Sequence, residues 1–163
     1  MPRHKQRLEE SARNDLRQRG VTIEHIAELV QFLQAPYIKN LNLAMCRESV
    51  EKVLGKREVQ NAIITGIQLD RLTEQEKLDE PLLSILKKDE SLYGIDEVVA
   101  LSIVNVYGSI GFTNYGYVDK EKPGILKKLN DPSTGECHTF LDDIVGAIAA
   151  AASSRLAHSQ AEE

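Results

Sequence analysis

The sequence has 163 residues and a mass of 18.2 kDa, which is the size of one folded domain. Hydrophobic residues make up 42% and charged residues 28%, an ordinary globular composition that excludes a wholly disordered chain. The net charge of −5 disfavours nucleic acid as a partner, because phosphate attraction needs a basic surface. Aromatic residues are only 5% without any Trp, which disfavours a β-rich fold. We expect a single domain over residues 1–163.

Two further patterns bear on the cellular compartment. Cys46 and Cys137 lie far apart with no zinc-like spacing, so we interpret them as ordinary buried thiols. The start of the chain leads into a charged amphipathic stretch rather than the apolar core of a secretory signal, which favours a cytoplasmic location. Residues 98–118 contain no Asp, Glu, Lys or Arg, but their three glycines and several polar residues favour a buried helix and a turn over a membrane span.

Helical periodicity predicts an all-α bundle of about six to eight helices. Gly20, Pro36 and Gly55 mark helix ends, Thr22 is a candidate N-cap, and Pro81 opens a short helix. The helices are expected over about 4–19, 23–35, 43–54, 58–77, 81–86, 95–107, 123–129 and 140–156.

Two of these helices, near 95–107 and 140–156, are apolar on almost every side. This pattern is typical of helices buried inside a bundle, so we expect both to be central. The segment 108–116 between them is rich in glycine and predicts a tight connection. Its backbone N–H groups would also suit a phosphate, but a helix connection is the more common use of such a segment.

Each apolar helix begins with two adjacent acids, Asp96 and Glu97 in one, and Asp142 and Asp143 in the other. Acids at a helix N-terminus favour the helix dipole, and Thr139 with Asp142 resembles a capping box. In a central helix, however, both members of a pair cannot face solvent. Buried carboxylates cost several kcal/mol each unless a hard cation compensates them, so the two pairs favour a metal site.

Three segments resemble, in order, the downstream motifs of the phosphatidylglycerophosphatase A family. They read Gly94-Ile-Asp-Glu-Val-Val-Ala, Tyr117-Val-Asp-Lys-Glu-Lys-Pro-Gly and Phe140-Leu-Asp-Asp-Ile-Val-Gly-Ala. The resemblance covers about residues 94–155, whereas residues 1–90 are more divergent. The typical N-terminal Gly/Pro-rich motif and the membrane-spanning helices have no counterpart, so the chain resembles a soluble branch of the family.

The resemblance implies a Mg²⁺-dependent phosphatase that removes the terminal phosphate from phosphatidylglycerophosphate, with Mn²⁺ as a possible substitute ion. It implies action at the inner surface of the membrane. The functional residues that the motifs indicate are Asp96, Glu97, Asp119, Lys122, Asp142 and Asp143. Of these, Asp96, Glu97, Asp142 and Asp143 are the expected metal ligands, with a remaining acid as general base and Lys122 near the phosphate.

Two other functions stay open at this point. The same acids would serve a soluble phosphohydrolase for a small phosphate ester, or they would merely cap helices in a non-catalytic interaction module. Apolar faces on several short helices indicate a homo-oligomer. We expect His138 to be a surface residue, and the three remaining lysines near the motifs to form a solvated face; these are Lys120, Lys127 and Lys128.

Overall fold

Nine α-helices and two short 3₁₀ helices account for the regular structure in residues 2–108 and 110–161, the part of the chain that the computed structural model describes. No β-strand occurs within these residues, which confirms the predicted all-α bundle. The helices are α1 (Pro2–Gln18), α2 (Ile23–Gln34), α3 (Leu43–Leu54), α4 (Arg57–Glu74), α5 (Leu82–Lys88), α6 (Ile95–Val104), α7 (Ile110–Glu121), α8 (Ile125–Leu129) and α9 (Leu141–Ala161). The 3₁₀ helices are Asn105–Tyr107 and Pro132–Thr134.

Local capping signals fix the starts of two early helices. The Thr22 hydroxyl accepts a hydrogen bond from the His25 N–H at 3.1 Å, and the His25 ring accepts the Thr22 N–H in return. Asn42 caps α3 by accepting the Met45 N–H at 2.9 Å. These bonds satisfy backbone donors that the first helical turn leaves free, so the N-cap predicted at Thr22 is confirmed.

Helix α9 is the centre of the bundle. Every residue from 138 to 154 is buried, and helices α2, α3, α4, α6, α7 and α8 pack around it. Glycine brings α4 especially close, because a Cβ at Gly66 would lie 2.3 Å from Ile144 Cδ1 and 3.0 Å from Phe140 Cβ. The predicted central position of the second apolar helix is therefore confirmed.

Helix α6 packs against α9 with one face only. Its buried apolar residues are Ala100, Ile103 and Val104, whereas the side chains of Ile95 and Val98 are 51% and 59% exposed. Apolar composition predicted burial on every side, but α6 packs on α9 and α4 and leaves its remaining side exposed to solvent. No helix in the described part of the chain meets the length and hydrophobicity that a membrane crossing needs.

The glycine-rich segment is helical where a tight connection was predicted. Gly108 has a left-handed φ of 93°, and α7 begins at Ile110; Ser109 lies outside the described residues. Gly111 serves helix packing instead of chain reversal, since a Cβ there would lie 2.9 Å from Val104 Cγ1. This additional helix is the reason that the count exceeds the predicted eight.

Candidate active site

The start of α6, the end of α7 and the start of α9 meet around a cavity of about 450 Å³. All six residues that the motifs indicated line it, although the sequence separates them by up to 47 positions: Asp96, Glu97, Asp119, Lys122, Asp142 and Asp143. Helices α6 and α7 both pack on α9, and this arrangement places two helix starts and one helix end at the same side of the bundle. We call this space the acidic cavity.

The acids of this cavity differ in their access to solvent. Asp96, Asp142 and Asp143 are buried, Asp119 is half-buried, and Glu97 is exposed. In each pair the first acid accepts the backbone N–H of the second, at 3.0 Å for Asp96 and 2.9 Å for Asp142. The acids thus satisfy some free donors of their helix starts and also face a common space.

Helix α9 is capped by a residue that the sequence analysis missed. Asp70, on α4 and completely buried, accepts the N–H groups of Phe140 and Leu141 with its two oxygens, each at 3.0 Å. The predicted capping box is wrong, because the Asp142 N–H donates to the His138 carbonyl rather than to the Thr139 hydroxyl, which itself donates to the Leu86 carbonyl. An acid on the apolar face of α4, three residues after Ile67, was the available signal for Asp70.

Burial dominates the ionisation of the carboxyl groups around the start of α9. It raises the pKa of Asp70 to about 7, against the opposing effect of its two N–H donors and of Arg19. It likewise raises the pKa of Asp142 to about 7, and a nearby Asp89 adds to this effect. The pKa of Asp143 is raised further, because burial acts together with the neighbouring carboxylates of Asp142 and Asp96.

Lys122 brings a positive charge to this acidic cavity. Its amine lies 3.0 Å from Asp119 Oδ1 and 3.7 Å from Asp142 Oδ2. Burial acts against its charge, but the hydrogen bond to Asp119 and the nearby acids outweigh it and raise the pKa of Lys122. Tyr115, which the sequence analysis missed, donates its hydroxyl to Asp143 Oδ1 at 3.2 Å.

Backbone strain is concentrated on the wall of the acidic cavity. Asp89, Leu92 and Lys122 have left-handed φ values of 47°, 69° and 49°, and all three line it. Such conformations cost about 1–3 kcal/mol each for residues with a side chain, and they persist where the surrounding structure imposes them. No sequence pattern indicated Asp89. Burial and the nearby charge of Asp96 raise the pKa of its carboxyl group.

A second cavity of about 500 Å³ adjoins the first, and the two share Asp89, Asn130 and Asp142. His138 lines this second cavity and is 9% exposed, so the surface position expected for it is wrong. Its Nδ1 lies 3.0 Å from the Leu129 carbonyl and its Nε2 lies 2.7 Å from Glu136, which holds the ring inside.

The remaining side chains near the motifs divide between solvent and the cavity wall. The predicted buried state holds for Cys46, whereas Cys137 is half-buried on the wall of the second cavity. The solvated lysines are exposed as predicted: Lys120, Lys127 and Lys128.

The chemistry of the acidic cavity suits a hard divalent cation. Asp96, Asp142 and Asp143 offer buried oxygen donors, and Lys122 is too small a counter-charge for three carboxylates. Among residues 2–108 and 110–161, no three His, Cys, Asp or Glu side chains are arranged as a ready-made ligand set. The fit therefore rests on the type of donor and on the burial of three carboxyl groups beside one lysine.

Fold and cavity together define a helical protein whose central helix presents acids to a pocket beside a lysine. Comparison with known proteins identifies the family to which this helical protein belongs. The model of the family described as "Phosphatidylglycerophosphatase A" matches residues 18–158, so the chain belongs to the phosphatidylglycerophosphatase A family. The resemblance found in three short motifs thus extends over most of the chain.

Close relatives share both sequence and fold. The "Uncharacterized protein YutG" of Bacillus subtilis is 69% identical over 151 residues, covering 93% of this chain and 91% of that protein. The crystal structure of the low temperature requirement C protein from Listeria monocytogenes is 65% identical, with a TM-score of 0.93 over 94% of this chain and 97% of that one. A protein of unknown function from Bacillus stearothermophilus is 69% identical, with a TM-score of 0.91 over 93% and 94% of the two chains.

Proposed function

We propose that this protein is a divalent-cation-dependent phosphatase that hydrolyses a phosphate monoester on a phospholipid headgroup of the phosphatidylglycerophosphate type. Family membership supports the reaction class. The observation that carries the proposal is the convergence of all six motif residues on one acidic cavity. Asp119 and Lys122 lie at the end of α7, where they cap no helix start, yet they line the same cavity as the two acidic pairs.

In this proposal Asp96, Glu97, Asp142 and Asp143 hold Mg²⁺, for which Mn²⁺ would substitute. When bound, such an ion polarises a phosphoryl oxygen and lowers the pKa of a coordinated water. The Lys122 amine contacts the phosphate oxygens, because Asp119 and Asp142 hold it at the cavity. Asp119 lies outside the ligand set and is half-buried, so we assign it the role of general base, which accepts the proton of the attacking water.

The test is phosphate release from phosphatidylglycerophosphate in detergent micelles, compared with glycerol 3-phosphate in plain buffer. Each is measured with Mg²⁺, with Mn²⁺ and with a chelator. We expect activity on the lipid only with a cation, and a loss of at least about 100-fold in Asp142→Asn. Glu28→Gln, an exposed acid on α2, is the matched control and should retain full activity.

The alternative functions predict different results in the same assay. Preference for glycerol 3-phosphate would identify a phosphohydrolase for small esters and refute the lipid substrate. Wild-type rates in Asp142→Asn, or calorimetry without Mg²⁺ or Mn²⁺ binding, would refute the phosphatase and favour a helical interaction module. Light scattering of the same samples tests the proposed homo-oligomer, and sedimentation with anionic vesicles tests the proposed membrane-surface location.

A further inference from the structure

The segment that leads into α9 is fastened to α4 at two points one helical turn apart. Asp70 accepts the N–H groups of Phe140 and Leu141, each at 3.0 Å. Glu74 accepts the N–H of Cys137 at 2.6 Å and pairs with the buried guanidinium of Arg19. These contacts fix the backbone immediately before Asp142 and Asp143, whose own side chains make no contact with Asp70 or Glu74 among the hydrogen bonds of the described residues.

The start of α9 lacks the usual means of capping itself. Phe140, which precedes the helix, has no side-chain acceptor, and the Thr139 hydroxyl donates to the Leu86 carbonyl and accepts neither the Phe140 nor the Leu141 N–H, which both go to Asp70. A Ser, Thr, Asp or Asn next to the helix would normally accept these N–H groups. Here a carboxylate reaches across from another helix, so the cap ties the orientation of α9 to that of α4.

A buried carboxylate carries a high desolvation cost when it caps a helix. Asp70 is fully buried, and the nearest positive charge that acts on it is Arg19, which pairs directly with Glu74 rather than with Asp70. Removing a carboxylate from water costs several kcal/mol, whereas a neutral cap would satisfy the same donors at lower cost. Both oxygens of Asp70 are used, each on one donor, and this bidentate arrangement constrains direction as well as distance.

We propose that Asp70 is a positioning residue, which sets the place of Asp142 and Asp143 in the acidic cavity through the backbone of Phe140 and Leu141. Glu74 supports it from one turn further along α4. The inference rests on the proposed function, because position matters here through the binding of a divalent cation and the hydrolysis of a phosphate ester.

The experiment compares Asp70→Asn with Asn42→Ala in the phosphatidylglycerophosphate assay. Asn keeps the shape of Asp but presents an acceptor to only one of the two N–H groups. Asn42→Ala removes a cap of the same kind from α3, away from the cavity. The readouts are the Mg²⁺ concentration for half-maximal rate, kcat, KM for the ester, Mn²⁺ affinity by calorimetry, and thermal stability.

We expect Asp70→Asn to raise the half-saturating Mg²⁺ concentration about tenfold and to lower kcat about tenfold, in the range found for residues that orient metal ligands. KM for the ester should change less than about twofold, since Lys122 directly follows α7 and donates its hydrogen bond to Asp119. Asn42→Ala should lower thermal stability without changing the Mg²⁺ response. Glu74→Gln should shift the Mg²⁺ response in the same direction, by a smaller factor.

Three outcomes would overturn the inference. If Asp70→Asn loses stability but keeps the wild-type Mg²⁺ response and kcat, Asp70 is only structural, and the phosphatase stands. If Asp70→Asn does not fold, a wild-type Mg²⁺ response in Glu74→Gln refutes the positioning role. If the wild-type protein neither binds Mn²⁺ nor releases phosphate, the proposed function itself fails and the inference fails with it.

Discussion

Replacing Asp143 with Asn should stabilise the metal-free protein at neutral pH while abolishing phosphatase activity. The side chain is 7% exposed, and burial with the neighbouring Asp142 and Asp96 raises its pKa. The folded protein therefore holds a proton on Asp143 at a pH where the unfolded chain, with a pKa near 3.8, has released it. Asn keeps the shape of the side chain and the acceptor for the Tyr115 hydroxyl.

The size of the effect follows from proton linkage. A carboxyl with a raised folded-state pKa contributes stability that is present at low pH and is lost as pH rises toward that pKa. Each pH unit in this window costs about 1.4 kcal/mol. Between about pH 5 and pH 7, Asp143→Asn should gain about 3 kcal/mol relative to wild type. For a chain of this length that is about 6–12 °C in Tm.

The assay is urea unfolding of both proteins at several pH values with a chelator present. Asp79→Asn, an exposed acid, is the control and should follow wild type throughout. A stability difference between Asp143→Asn and wild type that stays constant with pH would refute the reasoning. Added Mg²⁺ should stabilise wild type, by about 2.7 kcal/mol at 100 times its Kd, and leave the variant nearly unchanged.

Three further predictions concern single contacts. Lys122→Gln should raise KM for the phosphate ester about 10–100-fold, because a charge-assisted bond of about 1.5–3 kcal/mol is lost; an unchanged KM would remove Lys122 from phosphate binding. Gly66→Ala should lower the free energy of unfolding by about 1 kcal/mol, since crowding against Phe140 Cβ exceeds the gain in helix propensity. Its control is Gly116→Ala, which adds a Cβ in open space and should be stabilising; shifts of the same sign in both would contradict the packing argument. Tyr115→Phe should cost about 1–3 kcal/mol in urea unfolding, because Asp143 loses a buried donor, whereas the exposed Tyr117→Phe should be neutral.

Local patterns predicted most of the helices correctly. Periodic apolar residues and the cap at Thr22 depend on neighbours in the sequence, so they are readable without the fold. The glycine-rich segment was misread because Gly111 gives helix α7 a close approach to Val104, a demand that only the packed structure makes. The exposure of Val98 on α6 was hidden for the same reason, since composition does not reveal which face lacks a partner.

The candidate site, like the fold, could be predicted from the sequence only in part. Motif residues such as Asp96 and Asp142 could be named from the sequence because each begins an apolar helix, where an acid stands out. Asp70, Asp89 and Tyr115 were missed, because each joins the site from a different helix or loop: Asp70 through the backbone of Phe140 and Leu141, Tyr115 through Asp143, and Asp89 on the cavity wall. Their importance arises only when the chain has brought these elements together.

Because α9 is central, the hydrophobic core of the bundle is incomplete without it. Helices α2, α3, α4, α6, α7 and α8 all precede α9 in the chain, yet each buries apolar surface against it. Pairs such as α1 with α4 and α2 with α3 contact each other directly, but the core that they share is complete only with α9 in place. Because α9 also carries Asp142 and Asp143, the packing of this one helix completes both the core and the acidic cavity.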